Sequence, residues 1–228
     1  MKNITTIICL LFMSLGMYGQ NKGRTTLVPP IEPIRPILDI MKESKASGSL
    51  EFHGQCDSFV YPGFPDFPPM VADSPTIGSP VQRFQFIFSR DTAMRVLQAP
   101  DGSIDMMEDN IPQDILNIKI SDVNFSGTNG IGVYSPNLAV QFVLYSPEVQ
   151  KFVTLHSMHF PYYASIATGN LGGVPDQRLP HISSEFHNVT VRFLLKEIAK
   201  TFQSLWIYEN CPTSAKGSRV VYIRFYKP

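Results

Sequence analysis

The stretch VRFLLKEIAKTFQSLWIYENC, residues 191–211, decides how the C-terminal part of the chain folds. Its first apolar residues recur every three or four positions, a spacing that places them on one face of an α-helix. Thr190 precedes this pattern and is a favourable N-cap residue. The predicted buried face comprises Val191, Leu194, Leu195, Ile198, Phe202 and Leu205. The predicted outer face comprises Arg192, Lys196, Glu197 and Lys200.

Strands are expected on both sides of this helix. ISSEF, residues 182–186, comes before it, and LWIYEN, residues 205–210, follows it. After a turn over residues 213–217 comes RVVYIRFY, which is apolar enough to be at least half buried. The order is β-α-β-β. This last strand is a candidate for pairing with the edge of a partner's sheet, with Tyr222 and Phe225 as possible interaction residues, and the alternative is burial in its own sheet.

Residues 49–56, SLEFHGQC, resemble residues 204–211, SLWIYENC, at an offset of 155. A helical stripe also precedes the first copy: Ile34, Ile37, Leu38 and Met41 are spaced i, i+3, i+4, i+7. Either an α-β unit was duplicated and has diverged, or the similarity of eight residues arose by chance. Both explanations stay open at this point.

The middle of the chain favours strands. RFQFIF, residues 83–88, alternates between polar and apolar residues and predicts a strand. MRVLQ and SIDMME flank the turn 99–102, in which proline and glycine favour a hairpin. NIKISDVNF, residues 117–125, predicts another strand.

Two short helices are then expected. One begins at Ser135-Pro136, with Leu138, Phe142 and Tyr145 on one side, and the other at Ser146-Pro147. The fold class is therefore α+β, with mixed sheets, a C-terminal β-α-β-β unit over residues 181–228 and an N-terminal α/β region over residues 34–160. If the α-β unit was duplicated, that region contains a degenerate copy of it.

The N-terminus predicts export. Lys2 precedes a short apolar run at residues 7–15, which is typical of a signal peptide ending near residue 19 and is too short to span a bilayer. Residues 20–33 are predicted to be a linker. No later stretch is apolar enough to span a membrane, so we expect a periplasmic or secreted location.

Export leaves two cysteines, Cys56 and Cys211, because Cys9 lies in the signal peptide. An isolated pair in an oxidising compartment favours a disulfide, and the alternative is a catalytic or metal-binding thiol.

Composition excludes one class of partner. The formal net charge is zero and 17% of the residues are charged. No basic cluster is present, so a nucleic-acid partner is not expected.

No motif predicts a catalytic, metal or cofactor site. His156 and His159 have a spacing that suits two metal ligands, but two ligands are an incomplete set, and a polar helix end is the favoured interpretation. His53 lies three residues before Cys56, and alternation along a strand would point the two side chains to opposite faces. Glu108 and Asp109 are adjacent, which favours a hairpin end over a glycosidase pair.

The segment FVYPGFPDFPP, residues 59–69, interleaves aromatic residues with prolines that exclude regular structure. Phe59, Tyr61, Phe64 and Phe67 either cover the core or form a contact surface.

The segment HNVTVRFLLKEIAKTFQSLWIYEN resembles the short N-terminal (STN-type) module of secretins and TonB-dependent receptors. Val189-Thr190-Val191 matches the helix entry of that family, Leu194-Leu195 and Ile198-Ala199 match its buried stripe, and residues 205–208 match its exit strand. The resemblance covers residues 182–226. It implies a small periplasmic α/β module that contacts other proteins and carries no catalytic residues.

The leading hypothesis is therefore an exported protein-interaction module, accessory to an envelope or secretion assembly. Because no pore or barrel segment follows the module before Pro228, we expect a freestanding adaptor that binds a protein of the cell envelope. The alternative is a secreted hydrolase or ligand-binding enzyme that uses Cys56 and a histidine.

Overall fold

The computed structural model describes residues 32–54, 67–71, 76–126, 132–160, 179–212 and 218–228, all within the unit Ile31–Pro228. The predicted signal peptide, Cys56 and the turn 213–217 lie outside the described residues. So do Phe59, Tyr61 and Phe64, and all of the predicted linker except its last two residues. Those last two residues belong to a 3-10 helix, Glu32–Ile34.

Five α-helices lie within the described residues: α1 Arg35–Ser44, α2 Pro80–Ile87, α3 Pro136–Leu144, α4 Pro147–Leu155 and α5 Val191–Phe202. The strands are β1 Gly48–His53, β2 Met94–Gln98, β3 Ile104–Glu108, β4 Lys119–Asn124, β5 Met158–His159, β6 Glu185–Thr190, β7 Leu205–Pro212 and β8 Arg219–Tyr226. None of these described helices has both the length and the apolar character needed to cross a bilayer.

Six strands form the main sheet, in the order β2-β3-β1-β7-β8-β5. β1 is parallel to both of its neighbours, β3 and β7, while β7 and β8 are antiparallel. A second sheet pairs β4 with β6. Helices combined with these mixed sheets confirm the predicted α+β class. The two predicted regions, 34–160 and 181–228, are joined in one sheet, because β1 and β3 of the first lie beside β7 of the second.

The main sheet has a hydrophobic core on each face. Leu50, Phe52 and Ile207 pack with α1 and α2 on one face. Trp206 and Tyr208 pack with α3 and α5 on the other. Because successive strand residues point to opposite faces, a strand between two cores has the side chains on both of its faces covered. This explains why β7 is buried from Leu205 to Cys211.

The predicted C-terminal helix is confirmed as α5. The Thr190 hydroxyl accepts the backbone N–H of Phe193 at 3.2 Å, as an N-cap does. The predicted apolar stripe is buried at Val191, Leu194, Leu195, Ile198 and Phe202. The helix ends at Gln203, whose φ of 48° is left-handed.

The prediction of a strand at residues 83–88 is wrong, because residues 83–87 belong to α2 and Phe88 is its C-cap. The Ser79 hydroxyl accepts the Gln82 N–H, and the Gln82 side chain accepts the Ser79 N–H, which makes a capping box. Pro80 occupies the first turn, where it favours a helix. Phe84 and Ile87 are then buried one turn apart. A short alternating run fits both the period of a strand and that of a helix. Here the capping box and Pro80 favoured the helix.

The β2–β3 hairpin and the strand β4 are confirmed. Gly102 has a φ of 84° in the hairpin turn and donates its N–H to the Ala99 carbonyl. The strand predicted at residues 182–186 begins later, at Glu185, since Ile182 makes only an isolated bridge to Val133. The β-α-β-β order therefore holds as β6-α5-β7-β8, but β6 pairs with β4 rather than with β7.

The two similar octapeptides lie on neighbouring strands. Gly48 is opposite Leu205 and Leu50 is opposite Ile207, a register of 157 rather than the sequence offset of 155. The helices that precede the strands pack on opposite faces of the sheet, α1 with Leu50 and α5 with Trp206. The two passages are thus adjacent in space without being packed equivalently.

Gly48 generates the first prediction. A Cβ at this position would lie 2.1 Å from the Ile104 carbonyl oxygen, so Gly48→Ala must push β1 away from β3. We expect a loss of about 1–3 kcal/mol in the free energy of unfolding, measured by urea titration. Gly102→Asn is the matched control, since a Cβ at Gly102 would meet no described atom within 4 Å and asparagine tolerates its positive φ. Equal losses in the two variants would contradict this account.

Candidate functional site

The structure separates the described members of the predicted contact surface. Phe67 is half-buried and packs against Phe52 with ring centroids 5.9 Å apart, so it covers the core. The Arg224 guanidinium lies over the Tyr222 ring, and its central carbon is 4.4 Å from the ring centroid. Phe225 packs against the core on the α5 side of the sheet. β8 also pairs with β7 along its whole length. These three residues therefore do not form one surface.

Helix α3 exposes the stripe that the sequence placed on one side of it. Leu138, Phe142 and Tyr145 are 45%, 37% and 67% exposed, while the buried residues are Ala139, Val140, Val143 and Leu144. The helix PNLAVQFVL is apolar on two sides, and only one of these sides faces the core. Large apolar side chains are thus left facing solvent.

Aromatic rings continue from α3 to α5. The buried Phe125 ring lies 5.8 Å from Phe142 and 6.0 Å from Phe186. Phe186 lies 5.8 Å from Phe193, edge to face, and Phe193 is 42% exposed. Such geometries suit the aromatic quadrupole. We name this set the aromatic surface: Leu138, Phe142, Phe186 and Phe193.

Polar pairs lie on β4 and β6 on the face opposite Phe186, because Glu185 and His187 alternate with Phe186 along the strand. The His187 ring nitrogen Nδ1 is 2.5 Å from an Asp122 carboxylate oxygen, and both side chains are exposed. The Asn124 amide donates to Glu185.

An ionic cluster under α5 holds this helix on the sheet. The Arg192 guanidinium donates to both carboxylate oxygens of Glu51, at 2.5 and 2.7 Å. Glu51 is fully buried on β1. Gln113 donates to the same carboxylate at 3.2 Å and accepts from Arg192. The guanidinium also lies 5.7 Å from the centre of the Trp206 ring. A buried carboxylate requires such partners.

A second pair lies one helical turn later. The Lys196 ammonium donates to Asp105 on β3 at 2.6 Å, and Ser49 donates to the same carboxylate group at 2.9 Å. Arg192 and Lys196 were predicted on the solvent side of the helix, and that prediction is wrong, because both reach carboxylates on the main sheet. The missed signal was Glu51 and Asp105 themselves, acidic residues that have large apolar residues on both sides in β1 and β3.

Tyr208 borders the ionic cluster. Its hydroxyl donates to the Pro112 carbonyl at 3.0 Å. Burial, and then the nearby Asp114 carboxylate, raise the pKa of Tyr208 above its ordinary value. The phenol is thus a neutral donor at neutral pH.

His53 and His156 have local partners. His53 Nδ1 lies 3.2 Å from Glu108, which also accepts the His53 backbone N–H at 2.6 Å. His156 stacks on Phe152 with ring centroids 3.9 Å apart, at the end of α4, whereas His159 is in β5. Within the described ranges, no group of three or more His, Cys, Asp or Glu side chains is placed to hold a metal ion.

Cys211 is fully buried on β7, and its Sγ lies 3.7 Å from a Glu209 carboxylate oxygen. Gly54 lies beside it: a Cβ on Gly54 would be 2.9 Å from Cys211 Sγ. Gly54 also donates its N–H to the Asn210 carbonyl at 3.0 Å. The chain therefore passes next to Cys211 two residues before Cys56. Since Cys56 is outside the described residues, the disulfide stays a prediction.

Comparison with known proteins gives no match of significance: no protein-family model, curated protein or solved structure corresponds to this chain.

The ionic cluster generates the second prediction. Arg192→Met leaves the buried Glu51 carboxylate without its cation, and we expect it to lower the free energy of unfolding by about 3 kcal/mol. Glu51→Gln should cost a similar amount, and the double variant should cost less than the sum of the two. Urea unfolding of all four proteins gives the coupling free energy.

Arg95→Met is the matched control, because Arg95 pairs with Asp109 where both side chains are partly exposed. It should cost less than about 1 kcal/mol. An Arg192→Met loss no larger than that of Arg95→Met would contradict the role given to the cluster.

Proposed function

We propose that this protein is an exported protein-interaction module that acts in the periplasm or after secretion and binds a protein of the cell envelope through the aromatic surface. Export rests on Lys2 and the apolar run at residues 7–15. The role is accessory: the module connects a partner to an envelope or secretion assembly and performs no chemistry of its own.

The single observation that carries the proposal is the exposure of Leu138, Phe142 and Phe193 on two packed helices. Exposed aromatic and aliphatic groups that adjoin one another favour association, because covering them removes apolar area from water. The groups sit on regular elements, so little conformational entropy is lost on binding. Phe142 and Phe193 have the residue type that commonly anchors protein interfaces.

Helix α3 also favours a protein partner. Its sequence, PNLAVQFVL, contains no charged residue. A surface of this kind gains nothing from a polyanion, which would require clustered lysine and arginine. Partner surfaces with complementary apolar side chains are the ones that it suits.

The resemblance of residues 182–226 to the STN-type module gives independent support. Such modules in secretins and TonB-dependent receptors contact other proteins in the periplasm. We extend this role to the present chain, with α5 contributing both the residues that carry the resemblance and one member of the aromatic surface, Phe193.

One contact favours the alternative, a secreted hydrolase. Glu108 orients His53 as a general base would be oriented, and Cys56 follows three residues later. A nucleophile would have to be a free thiol. We propose instead that Cys56 is bonded to Cys211, beside which Gly54 brings the chain.

The aromatic surface generates the third prediction. Phe142→Ser combined with Phe193→Ser should weaken partner binding at least about tenfold, because truncated anchors lose most of their buried area. The exported chain, cross-linked in the envelope of its own cells, identifies the partner by mass spectrometry. The purified partner is then titrated against each variant by calorimetry.

Leu155→Ser is the matched control, since Leu155 is 70% exposed on α4 and outside the aromatic surface. It should bind as the unmodified chain does, and circular dichroism should show all variants folded. A partner that binds the double variant with unchanged affinity would overturn the assignment of this surface. Failure to isolate any partner, together with turnover of a substrate, would overturn the function.

The disulfide generates the fourth prediction. The exported, denatured protein should take up no alkylating reagent until it is reduced, and then label at Cys56 and Cys211, as read by peptide mass spectrometry. Reduction should also lower the free energy of unfolding by about 2–5 kcal/mol. Labelling of two free thiols before reduction would refute the cross-link and support the hydrolase.

A further inference from the structure

A cavity of about 470 Å³ opens beside the amino ends of β1 and β3. Its walls are the end of α1, the turn of the β2–β3 hairpin, the end of α5 and Pro80 at the start of α2. The volume falls within the range of about 300–1,000 Å³ that small-molecule sites occupy. The cavity and the aromatic surface involve different ends of α5, since Phe193 is in its first turn and Lys200 in its last.

The lining carries charges of both signs. Lys45 and Lys200 contribute ammonium groups, and Asp101 contributes a carboxylate. Lys200 Nζ lies 3.9 Å from an Asp101 carboxylate oxygen, too far for a direct hydrogen bond. Lys200 Nζ is also 3.9 Å from a Glu197 carboxylate oxygen. A ligand carboxylate in hydrogen-bond contact with Lys200 would therefore be closer to it than either carboxylate of the protein.

Asp101 is held in place as an acceptor. One of its carboxylate oxygens accepts the Ser103 hydroxyl at 2.7 Å and the Ser103 N–H at 3.1 Å. These hydrogen bonds keep the pKa of Asp101 below its usual value, so the group is ionised at neutral pH. The other oxygen faces Lys200.

Two helices end at the cavity and add negative potential. α1 closes at Lys45 and α5 at Gln203, each with a left-handed residue. Helix C-termini carry a partial negative charge and favour cationic groups. The cavity therefore offers a cationic group of a ligand both the Asp101 carboxylate and two helix ends, while the two lysines suit a carboxylate.

The lining also argues against other ligand classes. Among the residues that the structure describes, its apolar members are Ala46, Pro80 and Ile104, too few for a hydrophobic ligand. None of the described residues that line it has an aromatic ring on which a sugar or a base could stack. Hydroxyl and amide groups make up the remainder of its side chains, including Ser44, Ser47 and Gln98.

We propose that this cavity binds a small zwitterion, with its carboxylate on Lys45 and Lys200 and its ammonium group on Asp101. Free amino acids and short peptides share this chemistry. The site is independent of the proposed interaction function and stands or falls separately from it.

Calorimetric titration of the full exported chain tests the fifth prediction. The zwitterionic probes are alanine and trialanine. Three blocked probes are compared with them: N-acetylalanine lacks the cationic charge, alanine amide lacks the anionic charge, and N-acetylalanine amide lacks both. We expect alanine or trialanine to bind with a Kd on the order of 0.1–1 mM, since the charged groups are partly exposed. Each blocked probe should bind at least tenfold more weakly. Stronger binding of trialanine than of alanine would assign the site to peptides. Equal binding of the two probes would assign it to free amino acids.

Asp101→Asn and Lys200→Met should each weaken zwitterion binding at least tenfold. Lys151→Met is the control, because Lys151 is an exposed lysine on α4, away from the cavity lining. Thermal unfolding should show that all three variants are folded. Absence of binding by both zwitterions, equal binding of N-acetylalanine amide, or an equal loss in Lys151→Met would each overturn the proposal.

Discussion

The parallel pairing of β1 with β7 is the constraint on which the rest of the structure depends. It brings Gly48 opposite Leu205, so it joins the beginning of the described chain to its end. The remaining strands of the main sheet are added outward from this pair, β3 and β2 on one side and β8 and β5 on the other. Loops that close over such a separation are entropically costly, and two continuous hydrophobic cores offset that cost.

The same pairing explains why buried charge is present in the sheet. β1 is covered on both faces, yet it carries Glu51, which is fully buried. The carboxylate is tolerated because Arg192 reaches it from α5 with two hydrogen bonds. The buried stripe of α5 sets its rotation on the sheet, and Arg192 lies beside that stripe. Phe193, the next residue, is 42% exposed and contacts Phe186.

Local signals predicted most of the elements. The spacing of apolar residues and the Thr190 cap located α5, and proline with glycine located the β2–β3 hairpin. The error at residues 83–88 arose because six residues are too few to separate a period of two from one of 3.6. There the capping box of Ser79 and Gln82 was the stronger evidence. The C-terminal β-α-β-β order was also predictable, whereas the pairing of β6 with β4 was not.

The candidate sites were less accessible to sequence reasoning. Leu138 and Phe142 share a side of α3, but α3 is apolar on two sides, and only packing shows which side is covered. The cavity is assembled from the ends of α1 and α5 and a hairpin turn far apart in the chain. Periodicity describes one helix or strand at a time and carries no information on which elements contact one another in the folded chain.

The sequence by itself determined the secondary structure that capping, turn chemistry and periodicity encode, together with the prediction of export. Only the tertiary structure decided that Arg192 and Lys196 turn inward, that Phe142 and Phe193 turn outward, and that Gly48 lies against Ile104. The physical reason is that amphipathic patterning ranks residues by hydrophobicity alone. Pairing of a buried carboxylate and the order of strands in a sheet depend on partners that are distant in sequence, and those partners become neighbours only when the chain folds.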